Sequence, residues 1–249
     1  MRDAVDHLVR SSPSRFAILI FTTLILVFTL LFSLPIAAAD RTMTPLHDAL
    51  FTAVSVICVT GLTTVDMATH WSGFGNILVY IGVNVGGIGV LTLASLMGMV
   101  ISRRLGLRAK LMAASDTNPS RIHAGPVNEG QTVRLGEVGR LLVTVAMSAF
   151  VIEVVIAALL FPRMLADGVA LGEAVWHSFY YSAMAFTNTG FTPNVGGIGQ
   201  FADDYLFLGA LMLAVFLGSL GFPVIYAFAR GWRVPRRWSL HVKLTLVTT

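Results

Sequence analysis

The chain has 249 residues, of which 55% are hydrophobic and only 12% carry charge. A soluble domain carries about 25% charged residues. Half that density leaves too little polar surface for a water-exposed body, which excludes a soluble enzyme and a disordered chain. The formal net charge is +4, but the basic residues form no cluster on a soluble face, so nucleic-acid binding is excluded too. The single cysteine, Cys58, rules out an intrachain disulfide and argues against a thiolate metal site.

The N-terminal segment, 1–15, mixes Arg2, Arg10 and Arg15 with Asp3 and Asp6. Behind it, Phe16–Ala39 is uncharged. It is too long for the core of a signal peptide and reads as a retained span. Three further runs reach the roughly 20 apolar residues that cross a bilayer. These are Ile77–Ser102, Leu141–Pro162, with Glu153 as its one acid, and Tyr205–Ala229. Two shorter apolar pieces lie between them, Leu46–Thr60 and Ala174–Thr189, each directly before a glycine, Gly61 and Gly190. Pieces of that length read as re-entrant segments, and such segments are tolerated at membrane depth only where protein or a wet cavity surrounds them.

Charge sets the orientation. Residues 1–15, 103–140 and 230–249 hold 15 of the 17 basic residues. Positive residues stay inside, so the N-terminus is expected in the cytoplasm. The segments then left outside carry Arg41 and Arg163 against Asp40, Asp48, Asp66, Asp167, Glu173, Asp203 and Asp204. A negative mouth gathers cations.

The chain also repeats itself. An offset of 129 lays Thr189-Gly190-Phe191-Thr192 on Thr60-Gly61-Leu62-Thr63. An offset of 132 lays Gly218 and Gly221 on Gly86 and Gly89. Each unit reads span, short helix, glycine loop, span, and an even number of spans between them makes the two parallel. The C-terminal end of a short helix inside a membrane carries about half a negative charge. An extended loop behind it can offer carbonyl oxygens in place of an ion's water shell. Glycine supplies the positive φ such a loop needs. Threonines add hydroxyls, and Asn188 an amide to hydrogen-bond behind the loop. Neither loop contains an acid, which favours a monovalent cation over a divalent one.

Taken together, Cys58–Thr63 with Asn84–Thr92, and Phe186–Pro193 with Leu217–Val224, resemble the first two of four repeats in the Ktr/Trk/HKT superfamily of potassium transporters. The ion-translocating Ktr-type membrane subunit is the nearest type. The resemblance implies an all-α membrane protein with two parallel membrane-pore-membrane repeats: four spans plus two re-entrant pore helices with filter loops. It places the repeats at 16–102 and 141–232, a cytoplasmic loop at 103–140, and the start of a third repeat within 233–249. It implies a potassium filter at Val59, Thr60, Gly61 and Leu62, with Asn188, Thr189, Gly190 and Phe191. Potassium is then the transported ion, with sodium a candidate coupling ion, and no cofactor or catalytic residue is expected in this chain. The implied partners are a second copy of the chain, a cytoplasmic nucleotide-binding regulatory subunit, and membrane lipid in the plasma membrane. Two loops do not surround an ion, so the expectation is either a partial chain or two copies together. A non-conducting accessory subunit is the alternative.

Three other features have competing readings. Glu153 is an intramembrane acid, either an ion-pathway residue or a tie between helices. Gly86, Gly87 and Gly89 lack the third glycine of a dinucleotide loop and read as helix-packing residues. Ser219 has neither the setting of a nucleophile elbow nor a histidine in any span, so hydrolase chemistry is set aside.

Overall fold

The computed structural model describes residues 13–90, 92, 135–220 and 224. Residues 103–134 of the expected 103–140 loop, the ends of the second and fourth spans, and the third-repeat start at His241–Thr249 lie outside the described residues, while 135–140 of that loop are already helical. Every regular element among the described residues is helical. In chain order these are α1 (Pro13–Phe32), α2 (Leu46–Ile57), α3 (helical over Gly73–Val90), α4 (Leu135–Ala166), α5 (Leu171–Phe186), a 3-10 turn (Gly197–Phe201) and α6 (Tyr205–Leu220). The expected all-α fold is what is found.

The expected spans need adjustment. Two of these helices, Gly73–Val90 and Leu142–Ala166, are long and apolar enough to cross a membrane. Ala17–Phe32 and Tyr205–Leu220 are shorter apolar helices. The first expected span, Phe16–Ala39, is helical only to Phe32. Pro35 explains the early stop: it lacks an N–H and drives Leu34 out of the helical region. The chain then bends back, and Ala38 pairs with Trp71 in an isolated antiparallel bridge. The Ala39 N–H donates to the His70 carbonyl and the Ser72 N–H to the Ala37 carbonyl, both at 2.8 Å, while the Ser72 hydroxyl donates to Ile36 at 2.6 Å. These bonds pin the end of α1 to the start of α3. In the second half the same place is held by an ion pair, Arg163 Nε to Asp204 at 2.6 Å.

Two cores form. Phe28, Phe32, Val56, Ile57, Trp71, Val79 and Val83 fill the first, between α1, α2 and α3. Ile156, Leu160, Met164, Tyr181, Phe207 and Leu211 fill the second, between α4, α5 and α6. Tyr180 and Met184, on α5, belong to the first core rather than the second. Thus α5 is gripped from both sides, and every residue from Tyr180 to Phe186 is buried. The shorter α2 has no such second neighbour among the described residues. It exposes Leu46, Leu50, Phe51 and Val54.

Outward faces of the longer helices are apolar as well. On α4, Val143, Met147, Phe150, Val151 and Val155 are all more than half exposed. A soluble monomer rarely leaves so continuous an apolar stripe uncovered.

Candidate functional site: two glycine loops in contact

The two short helices end the same way. In α2 the backbone N–H of Thr60 donates to Ser55 at 2.8 Å and that of Val59 to Val56 at 3.3 Å. In α5 Thr189 donates to Met184 at 2.9 Å and Asn188 to Ala185 at 3.1 Å. Both pairs are the Schellman closure, which needs a left-handed residue just past the helix. Val59 (φ 56) and Asn188 (φ 59) occupy that place. Two residues later the backbone turns left-handed again, at Gly61 (φ 77) and Gly190 (φ 83). Every one of these correspondences falls at the offset of 129 seen in the sequence. At their N-terminal ends the helices differ, since α5 has 16 residues and α2 has 12.

The glycines of α3 and α6 explain how the loops are held. A Cβ on Gly86 would overlap the Ile57 carbonyl oxygen, and one on Gly218 would overlap that of Phe186. Ile57 and Phe186 are the last residues of α2 and α5. Each packed helix therefore presents bare backbone to the C-terminal end of a short helix, the close approach that small residues permit in membranes. The expected packing role for these glycines is found at Gly86, while Gly89 faces the Phe21 ring.

The loops also meet each other. A Cβ on Gly61 would overlap the Thr189 carbonyl oxygen, so the loops touch backbone to backbone there. One on Gly87 would sit 3.1 Å from Thr187 Cγ2. Gly190, in contrast, has open space beside it among the described residues. A cavity of about 310 Å³ opens over this contact, its lining including Gly61, Thr63, Asp66, Gly190, Thr192 and Asn194.

The remaining expected residues divide between the two loops unequally. Thr60 and Leu62 are exposed, whereas Thr189 and Phe191 are buried. The Thr189 hydroxyl pairs with that of Thr187 at 2.7 Å, so it stiffens the loop from behind. Asn188 is exposed, with its amide nitrogen beside Gly218. Asn194 was not singled out in the sequence; its Oδ1 accepts the Tyr181 hydroxyl at 2.5 Å, tying the outer loop to α5.

Two acids at this end, Asp40 and Asp204, are held in their charged form. The Thr42 backbone N–H and hydroxyl keep Asp40 below the usual carboxylate range. At Asp204 partial desolvation opposes ionisation, but the Phe207 and Leu206 N–H groups and Arg163 outweigh it and leave its pKa lowered. Asp66 accepts the N–H groups of Ala68 at 2.8 Å and Thr69 at 3.1 Å. His47, in the first turn of α2, stands in contact with Asp48 at 3.3 Å.

Glu153 lies away from the cavity. It is only 1% exposed, on α4. The Tyr80 hydroxyl of α3 reaches its Oε2 at 3.3 Å, and the Ser182 hydroxyl of α5 donates to its main-chain carbonyl at 2.7 Å. Its partners come from residues 73 and 29 positions away, which no local pattern reveals. Ser219, the other polar residue considered, donates to the Val215 carbonyl one turn back in its own helix.

The TrkH profile, described as a cation transport protein, matches residues 4–240. The chain belongs to the TrkH cation transport family. This is a family of transporters and not an enzyme family, and membership implies a membrane location. Among curated relatives of this TrkH chain, the Ktr system potassium uptake protein D of Bacillus subtilis is 31% identical over 95% of the chain and 51% of its own length. The Ktr system potassium uptake protein B of the same organism is 28% identical over 100% of the chain and 52% of its own length. The potassium/sodium uptake protein NtpJ of Enterococcus hirae is 28% identical over 96% of the chain and 50% of its own length. The chain spans about half the length of these relatives.

Proposed function

We propose that this chain supplies half of the pore of a potassium-translocating membrane protein of the Ktr/Trk type. The observation that carries the reading is the pair of loops. Each follows a short helix closed by a left-handed residue, each has a left-handed glycine two residues on, and the two are in backbone contact. The filter then comprises Val59, Thr60, Gly61 and Leu62 with Asn188, Thr189, Gly190 and Phe191. Main-chain carbonyls replace part of the ion's water shell, and the ionised outer carboxylates raise the local cation concentration.

In this reading α1, α3, α4 and α6 belong to four spans, and α2 and α5 are re-entrant pore helices in two parallel repeats. The exposed apolar stripe of α4 supports lipid contact there. The distribution of basic residues supports a multi-pass plasma-membrane protein with a cytoplasmic N-terminus. Two loops leave the far side of the ion open, and a further pair completes the ring, from the rest of a longer chain or from a second copy. The names of the Ktr relatives speak of a system, which supports a separate regulatory subunit at the cytoplasmic face. The name of the Enterococcus relative supports sodium as a second ion.

The test is Gly61→Ser in the complete protein, expressed in a cell that lacks its own potassium uptake. A side chain there meets both a left-handed backbone and the Thr189 carbonyl. Uptake is expected to lose its preference for potassium over sodium. An unchanged preference at normal abundance rejects the filter assignment.

A further inference from the structure

Glu153 is a buried acid that the loops do not use. Its carboxylate Oε2 takes one long bond from Tyr80, at 3.3 Å. Its Oε1 is buried and has no hydrogen-bond partner among the described residues. A carboxyl group so placed is expensive, and well-packed apolar replacements of buried ionic groups are often neutral or stabilising. Stability alone therefore does not account for an acid at this place.

Its surroundings suggest what does. Glu153 sits where three helices meet: α4 carries it, α3 brings Tyr80 and α5 brings Ser182. Those last two helices hold the two loops. α3 carries Gly86, against the end of α2, and Gly87, against Thr187. α5 carries the carbonyl of Met184, which accepts the N–H groups of Thr189 at 2.9 Å and Gly190 at 3.3 Å. Ser182 precedes Met184 by half a turn of helix. Around the same contact Trp176 of α5 is wedged between Tyr80, at 5.7 Å between ring centres, and Tyr180, at 5.8 Å. Apolar surfaces can slide past one another, whereas a hydroxyl-to-carboxylate bond fixes both height and rotation.

We infer that Glu153 is a positioning residue: with its carboxyl bonded to Tyr80 and its main-chain carbonyl to Ser182, it fixes the register of α5 against α3 and so the register of the Gly190 loop against the Gly61 loop. The inference rests on the proposed filter reading. It adds that the selectivity of the filter is set in part by a polar clamp beneath it, outside the ion path.

Four variants of the complete protein test this: Tyr80→Phe, Ser182→Ala, Glu153→Leu and Glu153→Gln. The readouts are the ratio of potassium to sodium uptake, and the thermal midpoint of purified protein. Tyr80→Phe and Glu153→Leu are expected to lower the ratio about threefold to tenfold, the scale of one interhelical polar contact in a membrane. Their combination is expected to lower it no further than Glu153→Leu alone, since both break one bond. Glu153→Gln keeps the acceptor oxygen and is expected to keep the ratio. Glu153→Leu is expected to leave the thermal midpoint equal or higher, which a purely structural acid would not do. The inference is overturned if Glu153→Leu keeps the ratio, or if Glu153→Gln lowers it as far as leucine does. Where Glu153→Leu is not recovered as folded protein, Tyr80→Phe and Ser182→Ala decide, and an unchanged ratio in both overturns the inference. A changed ratio in Gly61→Ser beside unchanged ratios in these variants removes the clamp and leaves the filter standing.

Discussion

Gly209 and Gly218 stand in the same helix, α6, and differ in one respect. Among the described residues nothing lies within 4 Å of a Cβ placed on Gly209. A Cβ on Gly218 overlaps the Phe186 carbonyl oxygen and comes 2.9 Å from its carbon and 3.0 Å from Asn188 Nδ2. Alanine is favoured over glycine inside a helix by about 1 kcal/mol, so Gly209→Ala should be neutral or stabilising by up to that amount. At Gly218 the same gain is opposed by overpacking, which costs about 1–3 kcal/mol when the neighbour cannot retreat. The neighbour here is backbone at the end of α5, anchored on both sides, and it cannot swing away as a flexible side chain would. The two variants should therefore differ by about 1–3 kcal/mol, with Gly218→Ala the less stable. For a chain of this size each kcal/mol moves the thermal midpoint by about 2–4 °C. Midpoints of the purified proteins, read by intrinsic tryptophan fluorescence, measure the difference. Because Phe186 leads directly into the Asn188–Gly190 loop, Gly218→Ala should also depress ion uptake. Equal midpoints for the two variants, with equal uptake, would refute the close-approach argument for both Gly218 and its counterpart Gly86.

The remaining predictions concern the left-handed residues and the outer charges. Asn188→Val places a β-branched side chain in a left-handed position at an exposed site and should cost about 1–2 kcal/mol, whereas Asn188→Gly should be neutral; thermal midpoints of the two separate these outcomes. Asp204→Asn removes the charge that caps α6 and pairs with Arg163, and should lower stability at neutral pH. The folded-state pKa of Asp204 lies below its ordinary value, so the contribution is present above about pH 4 and fades as the pH falls further. The gap between the native protein and Asp204→Asn should close in acid, and a gap that persists there would count against the ion pair.

Several parts of this architecture are legible in the sequence because they follow from local rules. Uncharged apolar runs give the helices, and glycine at 61 and 190 marks the left-handed turns. The offset of 129 carries from sequence into hydrogen bonds and dihedral angles. Val59 is the local exception. Valine disfavours positive φ, and the cost is about 1–3 kcal/mol, yet the Schellman closure of α2 imposes it. The end of α1 at Phe32 was signalled by Pro35 but hidden by the apolar residues Ile36–Ala39, which form turns with one bridge to Trp71 rather than a helix. The partners of Glu153 were beyond reach, because Tyr80 and Ser182 meet it only through the packing of three helices. The contact between the two loops was equally invisible, since Gly61 and Thr189 are brought together by tertiary structure alone.

In the proposed function the backbone of the two glycine loops selects the ion, and Gly190→Ala probes that backbone. Gly190 has a φ of 83° and open space where a side chain would go. Among the described residues nothing crowds a methyl group there, so it acts on the backbone angle and on any loop that completes the ring. The measurement is the rate of potassium uptake against sodium uptake in cells carrying the complete protein, with abundance at the membrane quantified in parallel. A lowered potassium-to-sodium ratio at normal abundance is expected. A ratio equal to that of the native protein would contradict it.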